Sequence, residues 1–114
     1  MSGCIFCSII SRSMPADIIF ENETVLAFKD INSQAPQHVL IIPKKHISGI
    51  MDIGEGDGKI ICALAGAAQS IARQLGVDVS GFRLVVNSGD DAGQAVAHVH
   101  IHLLGGRKLQ WPPG

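Results

Sequence analysis

The sequence predicts an α+β fold: a five-stranded antiparallel meander sheet with one long helix on a face and a short N-terminal helix. Three observations carry this. Five short segments are rich in β-branched, aromatic or aliphatic residues and are bounded by Gly, Pro, Asn or Asp. One long segment, 55–75, places apolar residues at spacings of three and four. Connections between neighbouring strand segments are short, which favours antiparallel pairing over parallel crossovers.

Residues 4–12 predict a short helix, with Pro15 just beyond its end. DIIFE (17–21) and TVLAFKD (24–30) predict two strands, and Asn22-Glu23 between them suits a tight hairpin. INSQAP (31–36) is a loop, and HVLIIP (38–43) is a third strand stopped by proline. In the long helix Ile60, Leu64, Ala67, Ile71 and Leu75 form the apolar stripe, Asp57 is the predicted N-cap and Gly76 the stop. FRLVVNS (82–88) is a fourth strand, GDDAGQA (89–95) a Gly/Asp loop, and AHVHIHLL (97–104) a fifth strand. The whole chain, 1–114, reads as one domain, with 105–114 as a C-terminal tail.

Composition narrows the function classes. The chain is 46% hydrophobic and 17% charged, ordinary for a globular domain. A net charge of −1 gives no general attraction for nucleic acid or anionic membranes, so any phosphate recognition must be local. No apolar run approaches the ~18–20 residues that span a bilayer. Three cysteines do not make a disulfide framework, and MSGCIFCSII has no basic flank. The expectation is a cytoplasmic protein with reduced thiols.

Three of the five histidines, His98, His100 and His102, alternate with Val99, Ile101 and Leu103. In a strand this puts the imidazoles on one face and the aliphatic residues on the other. Two chemistries fit three imidazoles in a row. One is a metal site on the histidines themselves. The other is nucleophilic attack on phosphorus by a neutral imidazole whose second nitrogen is held by a hydrogen bond. The preceding loop favours the second: Gly89 and Gly93 allow N–H groups to converge on an anion, and Asn87 and Gln94 add donors. Asp90 and Asp91 must then point away. Asp30 could accept both hydroxyls of a ribose cis-diol.

These residues carry a resemblance. HVHIHLL, with IIFENETVLAFKDINSQAPQHVLIIPKKHI (18–47), NSGDDAGQ (87–94) and LLGGRKLQWPPG (103–114), is similar to the histidine-triad (HIT) superfamily, in its Hint branch. The resemblance implies a HIT-like fold and a homodimer whose sheets join. It implies binding of purine nucleoside monophosphates and hydrolysis of nucleoside 5′-phosphoramidates at the P–N bond, without a catalytic metal. On that template His100 is the nucleophile that forms a nucleotidyl-histidine. His102 contacts phosphate oxygens, His98 supports the strand, and His38 orients the central imidazole. Asn87, Gly93 and Gln94 hold the phosphate, and Asp30 the ribose. Ile5, Phe6, Ile9, Phe28, Ile31 and Leu40 form the base slot. Trp111, in a tail that reaches the partner's site, influences substrate choice. The branch usually has serine after Gly-Gln, where this chain has Ala95, so weaker turnover is expected.

Cys4-Ile-Phe-Cys7 leaves two readings open. With His46 and His98 it matches a structural zinc site found in some HIT proteins; alternatively both cysteines are packed apolar residues. Cys62 is read as a packed helical residue. A nucleotide-binding adaptor with little physiological catalysis is the alternative to an enzyme, because both would keep the same pocket.

Overall fold

The computed structural model describes residues 3–114. Its elements are α1 (Ile5–Ile10), β1 (Ile18–Glu21), β2 (Val25–Lys29), β3 (Gln37–Pro43), α2 (Gly58–Gln74), β4 (Phe82–Val85) and β5 (Ile101–Gly105). Short 3-10 turns lie at Ile50–Asp52, Glu55–Asp57 and Asp90–Ala92.

The five strands form one antiparallel sheet, as the sequence predicts. The strand order β1-β2-β3-β5-β4 refines the meander. The first three strands follow in chain order. Then α2 carries the chain to the far edge, where β4 forms, and β5 returns to the centre between β3 and β4.

Period-two alternation sorts the core into two layers. Val25, Ala27, Val39, Ile41 and Leu103 face α2, whose Leu64, Ala67, Ala68, Ile71 and Ala72 pack onto them. Leu26, Phe28, Leu40 and Ile42 face the other way, against Cys4, Phe6 and Ile9 around α1. The central strand β3 is therefore apolar on both sides. Truncating a fully buried residue such as Ile41 to alanine should cost about 2–5 kcal/mol.

Local chemistry sets the ends of the elements. α1 is shorter than 4–12: the Cys4 Sγ accepts from the Cys7 N–H at 3.4 Å as its cap, and Arg12 ends the segment at φ 67°. Asp57 precedes α2, but its carboxylate caps the preceding turn, accepting from Gly54 N–H at 2.9 Å and from Lys45 at 2.8 Å. Those two bonds, that to Lys45 first, hold its carboxyl below the usual carboxylate range. Cys62 is exposed, contrary to the packed role read from sequence. It lies two residues from Leu64, about 200° round the helix from the buried stripe.

The fifth strand begins at Ile101, not at residue 97. Continuing the register of Ile41 opposite Ile101 would place Val99 opposite Pro43, which has no N–H to give. The Val99 N–H donates instead to Ile47 O at 2.6 Å, and the chain leaves β3 there. β4 stops at Val85, opposite His102, one residue short of the start of its partner strand at Ile101. His98 and His100 therefore sit on an irregular arm just before β5, bent at 96–98, while His102 lies within the strand.

Candidate active site

The α1 face of the sheet carries a cavity of about 450 Å³, a size suited to a small ligand. His100 and His102 border it, with Asp30 at its polar rim. Ile5, Phe6, Ile9, Phe28, Ile31 and Leu40, the residues read as a base slot, all line it. Ile31 does so from a fully exposed position in the loop after β2. Sequence reasoning missed Met14, Pro15, Ala16, Asp17, Lys29 and Val96, which complete the wall. Pro15 reads as a helix stop, and nothing local says that the segment around it folds back over the sheet.

Hydrogen bonds fix the tautomers. His100 is 6% exposed, and its Nδ1 lies 2.8 Å from His98 O. A carbonyl only accepts, so Nδ1 carries the proton and Nε2 holds a free lone pair. Nε2 has no partner among the described residues. No buried side-chain nitrogen there is left unsatisfied, so Nε2 opens to the cavity surface.

A second chain of bonds runs through His102. The Gln34 N–H donates to His38 Nδ1 at 3.0 Å, so the proton of neutral His38 is on Nε2. That Nε2 is 2.9 Å from His102 Nδ1 and 3.3 Å from the Asp30 carboxylate. His102 Nδ1 must then accept, which puts its own proton on Nε2 at the cavity side. Burial, followed by the charges of His100 and His38, pushes the His102 imidazole below its ordinary pKa. This corrects one expectation. His38 holds His102, and the central imidazole of His100 is held by the backbone of His98.

His98 is fully buried and does not border the cavity. Its Nε2–H donates to Pro43 O at 2.8 Å, which leaves Nδ1 as an acceptor. Nδ1 faces Cys4 Sγ at 3.3 Å and Cys7 Sγ at 3.6 Å, while His46 Nδ1 lies 3.3 Å from Cys7 Sγ. All four donor atoms fall within 4.8 Å of one another. For tetrahedral zinc the sulfur-to-nitrogen edge is about 3.6 Å, from bonds of ~2.3 and ~2.05 Å. Two thiols and two imidazole nitrogens at these separations fit zinc, and four protein ligands make a closed site.

The loop before the histidines is built differently from its reading. Gly89 and Gly93 have φ of 81° and 79°, conformations that favour glycine. Yet Gly93 N–H donates to Asp90 O, and Gln94 N–H to Gly89 O. The Gln94 side chain is also committed: Oε1 accepts from Gly89 N–H at 3.0 Å, and Nε2 donates to Ser48 O at 2.8 Å and Val96 O at 3.1 Å. Gln94 therefore staples the loop and has no proton left for an anion. Ala95, next in the chain, borders the cavity, and its N–H makes no hydrogen bond to another described residue.

Asn87 is half-buried beyond β4 and does not border the cavity. Trp111 is 81% exposed, and also stands away from it. The tail is pegged to its own chain, since Arg83 donates to Gln110 O at 2.9 Å and Arg107 to Gln34 O at 2.9 Å. Asp30 is a partly committed rim group: one oxygen accepts from Asn32 N–H at 2.9 Å, the other faces His38.

The model of the HIT domain matches residues 11–109. A 14 kDa zinc-binding protein of Zea mays is 44% identical over 115 residues, 99% of this chain and 89% of the relative. A HIT family hydrolase from Legionella pneumophila superposes with a TM-score of 0.96 at 46% identity, covering 98% of this chain and all of that one. A histidine triad nucleotide-binding protein from Candida albicans gives a TM-score of 0.83 at 30% identity, over 96% of this chain and 83% of that one.

Proposed function

Because the chain belongs to the HIT domain family, we propose that it is a nucleotide hydrolase that cleaves nucleoside 5′-phosphoramidates through a nucleotidyl-histidine. The observation that carries this reading is His100: Nδ1 is locked on a backbone carbonyl, and Nε2 opens to a cavity with an apolar slot and a carboxylate rim. The solved relatives described as a hydrolase and as nucleotide-binding support it.

The purine base lies between Phe6, Ile9, Phe28 and Leu40, and Ile31 covers it from the loop. Asp30 takes the ribose hydroxyls with its free lone pairs. The phosphate is held by the Ala95 N–H and by His102 Nε2–H. Gly93, Gln94 and Asn87 act behind it: the first two shape the loop, and Asn87 leads into it. Nε2 of His100 forms a bond to phosphorus while the P–N bond to the amine breaks. The departing nitrogen takes a proton from solvent, which the water attacking in the next step gives back, and leaves as free amine. Water then attacks phosphorus, its oxygen stays on the nucleotide, and the bond to Nε2 breaks.

Cys4, Cys7, His46 and His98 would hold a zinc ion. Bound there, the ion supplies a cross-link between chain segments. His98 then serves catalysis only through its carbonyl. The exposed apolar residues Phe82, Leu84 and Val86 on the β4 edge, with Ile61 on α2, support a homodimer in which two sheets join. Trp111 of one protomer's tail then reaches its partner. No described helix is long and apolar enough to cross a membrane. The unpaired thiols of Cys4, Cys7 and Cys62 support the cytoplasmic reading.

The test is turnover of adenosine 5′-monophosphoramidate, followed as AMP formation, by wild type and His100→Ala. Wild type should form AMP and the variant should not, while both bind AMP. Binding without turnover in wild type would favour the adaptor reading.

A further inference from the structure

We propose that the Cys4–Cys7–His46–His98 cluster, when it holds zinc, fixes α1 over the cavity and thereby sets nucleotide affinity. The inference rests on the reading of that cavity as a nucleotide site. A six-residue helix is far below the ~12–15 residues at which an isolated helix becomes marginally stable, so its position depends on tertiary anchors.

Those anchors are few. Phe6 and Ile9 enter the apolar layer under the sheet. Among the described residues, the side chains of 4–10 reach beyond residue 13 with polar bonds only from Cys4 and Cys7, to His98 and His46. Thiol–imidazole contacts of 3.3–3.6 Å are weak hydrogen bonds. The same four atoms as zinc ligands would replace them with four coordinate bonds.

Cavity and cluster share the same short helix. Ile5 and Phe6 lie between the two cysteines in sequence and face the slot. The Phe6 ring stands edge-on 5.2 Å from His100 and 5.4 Å from Phe28. A second link runs through His98. Its side chain belongs to the cluster, and its carbonyl holds His100 Nδ1 at 2.8 Å. Loosening the cluster therefore frees a wall of the slot and the anchor of the reacting imidazole together.

Metal binding and nucleotide binding must then be coupled, and the coupling must be reciprocal. The experiment compares protein carrying one equivalent of zinc with protein stripped by chelator, metal content being checked by elemental analysis. AMP is titrated into each by calorimetry. The stripped form should bind AMP about tenfold more weakly, a coupling within the usual allosteric range, and added zinc should restore it. Amide exchange at residues 5–10 should slow on zinc binding even without nucleotide. If stripping unfolds the protein, AMP should still tighten zinc in chelator competition, by a factor that grows with AMP concentration because the unfolded form binds none, and amide exchange in the zinc-loaded protein should still be slow at residues 5–10. His46→Ala, which removes a ligand outside the cavity, should weaken zinc and AMP together. Equal AMP affinity with and without zinc, unchanged exchange in α1, or no zinc binding would each overturn the clamp. Absence of AMP binding in both forms would instead overturn the nucleotide reading, and exchange in α1 would still decide whether zinc fixes the helix.

Discussion

Replacing His38 with alanine tests whether His102 owes its tautomer to a neighbour 64 positions earlier in the chain. The side chain is 7% exposed, accepts from Gln34 N–H at 3.0 Å and donates toward His102 Nδ1 at 2.9 Å. Gln34 is exposed, so its freed N–H finds water at little cost. His102 Nδ1 loses its donor in a half-buried place. A net hydrogen bond near 1 kcal/mol plus the void left by an imidazole gives about 2–4 kcal/mol of lost stability. For a domain of this size that lowers Tm by roughly 8–20 °C. The catalytic loss is separate. A hydrogen bond that supports a group interacting with a charged phosphate is worth about 1.5–3 kcal/mol, so kcat should fall about 10- to 100-fold. The assay is steady-state hydrolysis of adenosine 5′-monophosphoramidate well below the variant's Tm. KM should move less than about threefold, since the slot and Asp30 remain. His38→Gln keeps an amide N–H near the Nε2 position and should recover most of the rate. Wild-type kcat in His38→Ala, or equal losses in Ala and Gln, would refute the tautomer relay.

Other outcomes follow from the same geometry. Ala95→Ser places a hydroxyl at the cavity beside the N–H proposed to hold the phosphate and should raise phosphoramidate turnover; no gain would count against the expectation that the missing hydroxyl weakens turnover. Deleting residues 107–114 removes the Arg107 and Gln110 pegs and Trp111, and should change selectivity among nucleotides or amines, read as relative kcat/KM. Burial pushes His98 and His102 below the ordinary imidazole value of 6.5. The unfolded chain therefore binds more protons than the folded one below that pH. Stability of chelator-treated protein should be full above pH 6.5 and fall as pH drops through the folded values, by at most about 1.4 kcal/mol per unit for each histidine. A flat Tm between pH 7 and pH 5 would contradict this.

Periodicity made the fold readable. Alternation in VLAFK and HVLII separates the two layers of core, and the three-four spacing in α2 gives its buried stripe. The place of β5 between β3 and β4 depends on where the crossover helix delivers the chain, which no local pattern records. The histidine arm was legible as a shared face, but its departure from the sheet required knowing that Val99 would stand opposite Pro43. The cavity-lining residues Ile5, Phe6, Ile9, Phe28, Ile31 and Leu40 were legible because the family resemblance picks them from positions that otherwise read as core. Gln94 was misread as an anion donor because a side-chain amide looks the same in sequence whether it faces a ligand or staples its own loop. The Ala95 N–H was missed because backbone donors leave no trace in residue type. Cys62 lay two residues from a buried position, where a helix turns its side chain to the opposite face.

Rapidly quenched wild-type protein, mixed with adenosine 5′-monophosphoramidate and digested for mass spectrometry, gives the most direct measurement. An adenylyl group should be found on the peptide containing residues 98–102, attached to His100, and should be absent from His100→Ala. Turnover with no such adduct at any time, or an adduct on another residue, would contradict nucleophilic attack by His100.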